Sequence, residues 1–174
     1  REVRHYFMKV LSSTLYGKNE EEKFFILTGS GGNGKTKLMD DLLQKALGKY
    51  AKPFKVSLIT QGRGDASGAD AALHKLKGIR AAITSEPDKG KNLNTGLIKQ
   101  LSGGDSISSR TLNKEEEEWR AQFTMFMMCN DIPPLDSVDG GTIRRVVIIE
   151  FISKFVENPD PNHPYQFARD DLSL

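Results

Sequence analysis

Short apolar runs alternate with amphipathic segments along this chain, and their order predicts an α/β fold. The runs with the character of buried strands are Phe24–Leu27, Phe54–Thr60, Ile79–Thr84, Phe123–Cys129 and Val146–Phe151. Strands that alternate with helices usually pair in parallel, with the helices covering both faces of the sheet. We therefore predict an α/β fold with a mainly parallel central sheet flanked by helices.

Helical periodicity fills the spaces between these runs. Residues 1–15 carry apolar side chains at i, i+3 and i+4 spacing, which predicts an amphipathic helix. The same spacing recurs after Lys35, at Leu38, Met39, Leu42, Leu43, Ala46 and Leu47. Shorter helices are predicted at Ala69–Leu76 and Asn92–Leu101, and a weak strand at Ser106–Leu112. Residues 156–174 are expected to form a loop that leads to a missing continuation.

The segment from Gly29 to Thr36 matches the phosphate-binding pattern G-x-x-x-x-G-K-[ST] in full. Its residues are Gly29, Ser30, Gly31, Gly32, Asn33, Gly34, Lys35 and Thr36. The glycines allow backbone N–H groups to surround a phosphate, Lys35 adds a positive charge, and the Thr36 hydroxyl is a Mg²⁺ ligand. A glycine-rich surface turn would match the pattern too, but the strand before it and the helix after it favour nucleoside triphosphate binding.

Composition adds limits to this picture. The chain has 174 residues, the size of one domain, and a net charge of +2, which is too small to indicate nucleic-acid binding by itself. No apolar run is long enough for a membrane helix, and one cysteine excludes an internal disulfide framework. Because the chain begins with Arg1 rather than Met, we expect it to be a piece of a longer protein.

Hydrolysis of a triphosphate needs a carboxylate, a sensor of the γ-phosphate and a positive charge for the transition state. Glu86 and Asn130 each follow an apolar run, at the sheet edge where ligands of open α/β sheets bind. The pair Arg144-Arg145 precedes the last run. Each residue also has a simpler interpretation: a charged turn before Pro87 for Glu86, a turn-forming amide for Asn130, and a solvated edge for the arginines.

The order and compact spacing of these motifs resemble the superfamily 3 helicases, which are AAA+-type motors of viruses and plasmids. Within them the chain is most similar to the poxvirus-type primase-helicase family of large DNA viruses, phages and plasmids. The P-loop, Gly78 to Pro87, Leu97 to Asp105 with Ser109-Arg110, Phe123 to Asn130 with Pro133, and Gly141 to Phe151 carry this resemblance.

The resemblance implies an ATPase core over residues 1–155. Its parts are Walker A at 29–36, a Walker B strand at 79–86, a middle motif and DNA hairpin at 97–122, a sensor strand at 123–130 and an arginine finger at 144–145. It implies a homo-oligomer, a hexameric ring with ATP and Mg²⁺ between subunits. Lys35 and Thr36 would hold phosphate and metal, Glu86 would activate water near the metal, and Asn130 would be the sensor.

Other roles follow from the same resemblance. Arg144 or Arg145 would reach into the adjacent subunit, and Lys99 would contact that neighbour's phosphates. The stretch 106–122 would form a hairpin that grips single-stranded DNA, with Arg110 and Lys114 as backbone contacts. Two departures stand out: Ser85 occupies a position where many P-loop motors have an aspartate, and Glu115–Glu118 lie beside the proposed DNA grip.

We therefore expect the ATP-dependent motor of a viral or plasmid replication helicase, with a primase as a further candidate on the same chain and no membrane partner. The alternatives are another P-loop ATPase, such as a DNA-packaging or clamp-loading motor, and a nucleotide-dependent ring that binds DNA without unwinding it. A viral motor would work inside the cell, in the host nucleus or cytoplasm, and the sequence does not choose between them.

Overall fold

A five-stranded parallel sheet forms the centre of the fold. The computed structural model describes residues 2–60, 71–110 and 115–169. The sheet strands are β1 (Phe24–Thr28), β2 (Ala51–Pro53), β3 (Ala81–Ser85), β6 (Thr124–Met128) and β7 (Val146–Glu150), and two further strands, β4 (Ser106–Ser109) and β5 (Glu117–Arg120), lie outside it. Their order across the sheet is β2-β3-β6-β1-β7. The predicted α/β class and the parallel sheet are confirmed.

The helices lie where the periodicity predicts them, with one addition. They are α1 (Glu2–Ser13), α2 (Lys37–Gln44, continued by Lys45–Leu47), α3 (Thr95–Ser102) and α4 (Gly140–Arg145). The short helix α4 is the addition, since its arginines were expected at the start of a strand. Residues 71–74 are helical, in agreement with the described part of the predicted segment 69–76. None of the helices in the described ranges is long and apolar enough to cross a membrane.

Strand alternation divides the core into two layers, one on each face of the sheet. Phe24 and Ile26 of β1 contribute to one cluster, which also contains Ile98 of α3. The intervening residue Phe25 contributes to the other cluster, together with Phe7 of α1. Because successive side chains of a strand point to opposite faces, a continuous apolar strand must be covered on both sides. This explains why the central strands lack polar alternation.

The predicted strand Phe54–Thr60 is wrong. The strand lies earlier, at Ala51–Pro53, and residues Val56–Ile59 form a 3₁₀ turn. The apolar residues of this segment, which alternate with polar ones, instead pack from the turn against the buried cluster that contains residues of β3 and β6. Pro53 is tolerated in the strand because β2 is at the edge of the sheet, where a missing N–H leaves no ladder bond unpaired.

Two smaller strand pairs lie outside the central sheet. Strands β4 and β5 pair in antiparallel fashion as the two strands of a hairpin. Residues 111–114, in the sequence between them, are outside the described part of the chain. Near the end of the chain, β8 (Lys154–Val156) pairs in parallel with β9 (Gln166–Ala168). Residues 156–174 therefore contain a strand as well as the expected loop.

Helix α2 buries fewer of its apolar residues than an α-helical period implies. Its first part, Lys37–Gln44, has wide π-type turns, and its buried residues Met39, Leu43 and Leu47 recur at every fourth position. Leu42, adjacent to a buried residue, is 53% exposed. A wider turn keeps positions separated by four residues on one face, so the i+3 residues rotate toward solvent.

We expect the adjacent leucines of α2 to respond very differently to truncation. Leu43 is only 6% exposed, so Leu43→Ala removes buried methyl groups and should lower the free energy of unfolding by roughly 2–4 kcal/mol. Leu42→Ala removes the same atoms from an exposed site and should lower it by less than about 1 kcal/mol. Chemical denaturation of both variants measures the difference, and equal losses would contradict this burial pattern.

Candidate nucleotide-binding site

The phosphate-binding loop connects the carboxyl end of β1 to the start of α2. Gly29, Gly32 and Gly34 all have positive φ angles, of 136°, 77° and 83°. This is backbone that residues with a Cβ adopt only under strain, so the glycines of the motif are needed for the turn itself. Gly29 is also short of space: a Cβ there would lie 2.5 Å from the Phe151 carbonyl oxygen. The loop thus has the geometry expected from its sequence.

Lys35 lies inside this loop rather than extending into solvent. Its ammonium group donates to the Gly29 carbonyl at 2.5 Å and to the Asn33 side-chain oxygen at 3.2 Å. Burial lowers the pKa of the Lys35 amine below its usual value, while the nearby Cys129 and Glu86 act in the opposite direction. The positive charge of Lys35 is therefore positioned within the loop, held by two oxygens that carry no full negative charge.

The structure brings Glu86 and Asn130 together beside the loop. Glu86 directly follows β3 and Asn130 closely follows β6, and these strands are neighbours in the sheet. The backbone N–H of Asn130 donates to the Glu86 carboxylate at 2.8 Å, and the Asn130 carbonyl accepts from the Thr28 hydroxyl at 2.8 Å. Both side chains are exposed at this edge. A carboxylate and an exposed amide residue thus lie beside the phosphate loop at the carboxyl ends of the strands.

The two arginines lie at the amino-terminal ends of the sheet strands, opposite to the carboxyl ends where the loop begins. They end α4, immediately before β7, whose first residue aligns with the first residue of β1. The loop follows the far end of β1, five residues further on, which is roughly 15 Å away at ~3.3 Å per residue. Arg144 and Arg145 are consequently separated by the length of a strand from the loop of their own chain.

The two arginines differ in their surroundings. The side chain of Arg145 is 12% exposed and forms an ion pair of 2.8 Å with Glu22. The side chain of Arg144 is 67% exposed, and its guanidinium lies 3.9 Å from the same carboxylate. Arg145 is therefore a structural partner of Glu22, whereas Arg144 is available to another molecule. The sequence could not distinguish the two residues, because they are adjacent and identical.

Lys99 lies in the same region, next to α4. Its ammonium group forms an ion pair of 2.7 Å with Asp139. Asp139 also caps α4, since it accepts from the backbone N–H of Thr142 at 2.7 Å and from its hydroxyl at 2.9 Å. The Lys99 hydrogen bond, followed by those from Thr142, holds the pKa of the Asp139 carboxyl well below its usual range. The contact thus joins Lys99 of α3 to the helix that carries the arginines.

Of the two residues predicted to contact DNA, one lies among the described residues of the hairpin. Arg110 follows β4 and is exposed, whereas Lys114 lies outside the described residues. Trp119 anchors the hairpin, because it is buried and its indole N–H donates to the Ser109 hydroxyl at 2.7 Å. This anchor was not anticipated from the sequence, although a single tryptophan in a very polar segment is a recognisable signal of local burial.

The acidic run beside the hairpin is engaged within the chain. Glu116 accepts a short hydrogen bond from Ser108, and Glu118 accepts one from Ser106 at 3.3 Å. Glu117 forms an ion pair of 2.8 Å with Lys77. Three of these four glutamates therefore have partners within the hairpin or the adjacent segment.

The chain is similar to several proteins of large DNA viruses. No protein-family model matches the chain. It is 43% identical over 160 residues to "Putative helicase L207/L206" of Acanthamoeba polyphaga mimivirus, covering 92% of this chain and 17% of that protein. It is 31% identical to "Putative helicase 022R" of Frog virus 3 (88% and 16% covered) and 32% identical to "Putative primase C962R" of African swine fever virus (97% and 18%). The chain thus spans less than a fifth of the length of these relatives.

Solved structures show the same fold at low sequence identity. The C-terminal region of NrS-1 in its apo form aligns with a TM-score of 0.57 and 20% identity, over 78% of this chain and 30% of that one. JCV helicase aligns with a TM-score of 0.55 and 14% identity, over 82% of this chain and 40% of that one.

Fold and loop together define a P-loop NTPase-like α/β domain. More specifically, the chain is a relative of the helicase- and primase-named proteins of large DNA viruses, which confirms the predicted resemblance to the helicases and primase-helicases of such viruses.

We expect the first glycine of the loop to be irreplaceable and a later one to be dispensable. Gly29→Ala combines a positive φ with a contact of 2.5 Å, and should lower the free energy of unfolding by more than about 1 kcal/mol. Gly31→Ala is the matched control, because a Cβ there meets nothing within 4 Å. Thermal unfolding measures both, and a tolerated Gly29→Ala would contradict the loop geometry.

Proposed function

We propose that this chain is the ATP-dependent motor core of a DNA helicase that acts in viral DNA replication. The observation that carries the proposal is the placement of the Glu86 carboxylate and Asn130 beside the Lys35 loop. The names of the viral relatives support the same function. Because the chain covers only a small part of those relatives, the helicase activity is proposed for the longer protein and ATP hydrolysis for this segment.

The nucleotide fits the loop through the residues already described. The positive-φ glycines turn backbone N–H groups toward an anion, and Lys35 would exchange its two carbonyl-type oxygen partners for phosphate oxygens. A triphosphate is normally accompanied by Mg²⁺, for which the Thr36 hydroxyl and the Glu86 carboxylate are suitable oxygen ligands. Ser85 at the usual aspartate position leaves the ion with fewer protein ligands and more water.

Glu86 and Asn130 would act on the attacking water. Glu86 is exposed, and the Asn130 backbone N–H holds one of its carboxylate oxygens, so the second oxygen is the one we assign to the proton of the attacking water. The Asn130 side-chain amide can both donate to a γ-phosphate oxygen and accept from water. Anchoring of its carbonyl by Thr28 keeps this sensor at a constant distance from the loop.

The arginines support an assembly in which subunits share sites. Arg144 is exposed at the edge opposite its own loop, so the group it can serve is the nucleotide of a neighbouring copy. Lys99 lies beside the same helix and would contact the same phosphates after release from Asp139. A closed ring satisfies this head-to-tail arrangement, and a hexamer is the number that we propose.

The hairpin is the proposed contact with single-stranded DNA. Arg110 and Lys114 are the proposed contacts, and a grip of this kind on the phosphate backbone is electrostatic and independent of sequence. Glu116 and Glu118 accept hydrogen bonds from serines of β4, and these contacts would keep the two acids from facing a bound DNA strand. A primase on the same longer chain is a further proposal, supported by the primase name of one relative.

The central experiment is the ATPase rate of the longer protein at increasing protein concentration, with and without single-stranded DNA. A shared-site motor should show a rate per subunit that rises with concentration and rises again with DNA, together with displacement of a paired strand. Lys35→Ala should abolish ATP binding, because the loop would lose its charge, and serves as the inactive control.

The outcome separates the three candidate functions. ATPase activity without strand displacement would favour a packaging or clamp-loading motor, and assembly on DNA without turnover would favour a binding ring. A rate that depends on neither concentration nor DNA would contradict the shared-site motor.

We expect Arg144, rather than Arg145, to act on the neighbouring subunit. Arg144→Ala should keep ATP affinity and lower kcat, on the order of a thousandfold for a full arginine finger. Arg145→Ala should instead lower the unfolding temperature, because it leaves Glu22 without its 2.8 Å partner. The two variants form a matched pair at adjacent positions.

Mixing variants tests action between subunits. Arg144→Ala subunits have an intact Glu86, and Glu86→Gln subunits have an intact Arg144, so mixed rings should recover activity that neither variant has alone. If mixing restores nothing while each variant still assembles, Arg144 does not act in trans.

A further inference from the structure

The phosphate-binding pattern leaves four positions of the loop unspecified, and two of them contact a distant segment of this chain. The Asn33 side-chain amide donates to the Phe151 carbonyl at 3.3 Å, and the Phe155 backbone N–H donates to the Gly32 carbonyl at 2.8 Å. The loop is therefore attached to residues 151–155, which follow the last strand of the sheet and lie outside the strand-loop-helix unit.

The two edges of strand β8 form hydrogen bonds with different parts of the chain. The Lys154 N–H donates to the Tyr165 carbonyl at 2.8 Å, and the Arg169 N–H donates to the Val156 carbonyl at 2.8 Å, so Lys154 and Val156 face β9. Backbone groups of successive strand residues point in opposite directions. Phe155 therefore directs its N–H away from β9 and toward the loop, where Gly32 accepts it.

This hydrogen bond orients a peptide group of the loop. A peptide is planar and trans, so its C=O and N–H point in opposite directions. When the Gly32 carbonyl points to β8, the N–H of the next residue, Asn33, points away from β8. Inward-pointing N–H groups are the ones that bind a phosphate.

The ring of Phe155 adds a second contact. A Cβ built at Gly34 would lie 3.3 Å from the ring, so the aromatic side chain covers the glycine that precedes Lys35. The Phe167 ring of β9 lies beside it, with 6.0 Å between the ring centroids. Phe155 thus contacts the loop through both its backbone and its side chain.

We propose that β8 supports the phosphate-binding loop and that Phe155 is a positioning residue for binding the triphosphate. The loop is held in place before nucleotide arrives, so less conformational freedom is lost on binding. Nucleotide affinity then depends on residues beyond the end of the central sheet. This inference rests on the proposed binding of ATP by the loop.

Two substitutions at Phe155 separate the ring from the backbone donor. Phe155→Ala removes the ring and keeps the N–H, whereas Phe155→Pro removes both. In the full chain, we expect weaker binding of ATP in Phe155→Ala, and a further loss of roughly three- to tenfold in Phe155→Pro, the effect of one hydrogen bond. Inorganic tripolyphosphate should show the same losses, because the contacts concern the phosphate loop and not the base.

A matched control distinguishes positioning from general damage. Phe167→Ala is the control, because it removes the other ring of the pair from β9 and leaves the β8 backbone and its contacts with the loop in place. This variant should bind ATP within about twofold of the wild type. An equal loss in this control would overturn the proposal. If Phe155→Pro does not fold, the comparison of Phe155→Ala with Phe167→Ala decides the question.

The titrations also distinguish a failure of this inference from a failure of the proposed function. A wild-type protein that binds neither ATP nor tripolyphosphate would contradict the proposed function. A wild-type protein that binds both, with unchanged affinity in Phe155→Pro, would contradict only the role of Phe155.

Discussion

Parallel pairing of β3, β6 and β1 is the constraint on which the site depends. In a parallel sheet all strands end at the same edge, so the segments that follow them meet there. The loop after β1, Glu86 after β3 and Asn130 after β6 come from distant parts of the sequence, yet the register makes them neighbours. The hydrogen bonds between the strands set the spacing of these residues, so no direct contact between their side chains is needed.

The same constraint explains why the arginines cannot serve their own loop. Residues that precede a parallel strand lie at the edge opposite to those that follow one, and α4 directly precedes β7. The phosphate-binding loop and the arginines therefore lie at opposite ends of the strands of one sheet, separated by the length of a strand. The proposed head-to-tail association of copies would bring the two ends together.

Much of the fold and the site could be predicted because the responsible signals are local. Each sheet strand except β2 is a short apolar run, and the loop pattern specifies its own backbone. The prediction was wrong for Phe54–Thr60, where alternating residues pack from a 3₁₀ turn, since alternation reports burial and not backbone shape. It also could not show that Leu42 faces solvent, because this depends on the wide turns of α2.

The sequence by itself determined the class of fold, the loop and the identity of the candidate residues, because periodicity and glycine placement act over a few neighbouring positions. Tertiary structure decided which of two adjacent arginines is free, since only packing brings Glu22 to Arg145. It also decided that Phe155 touches the loop. Both contacts join residues that are more than a hundred positions apart, and such pairings are set by the folded chain rather than by any local pattern.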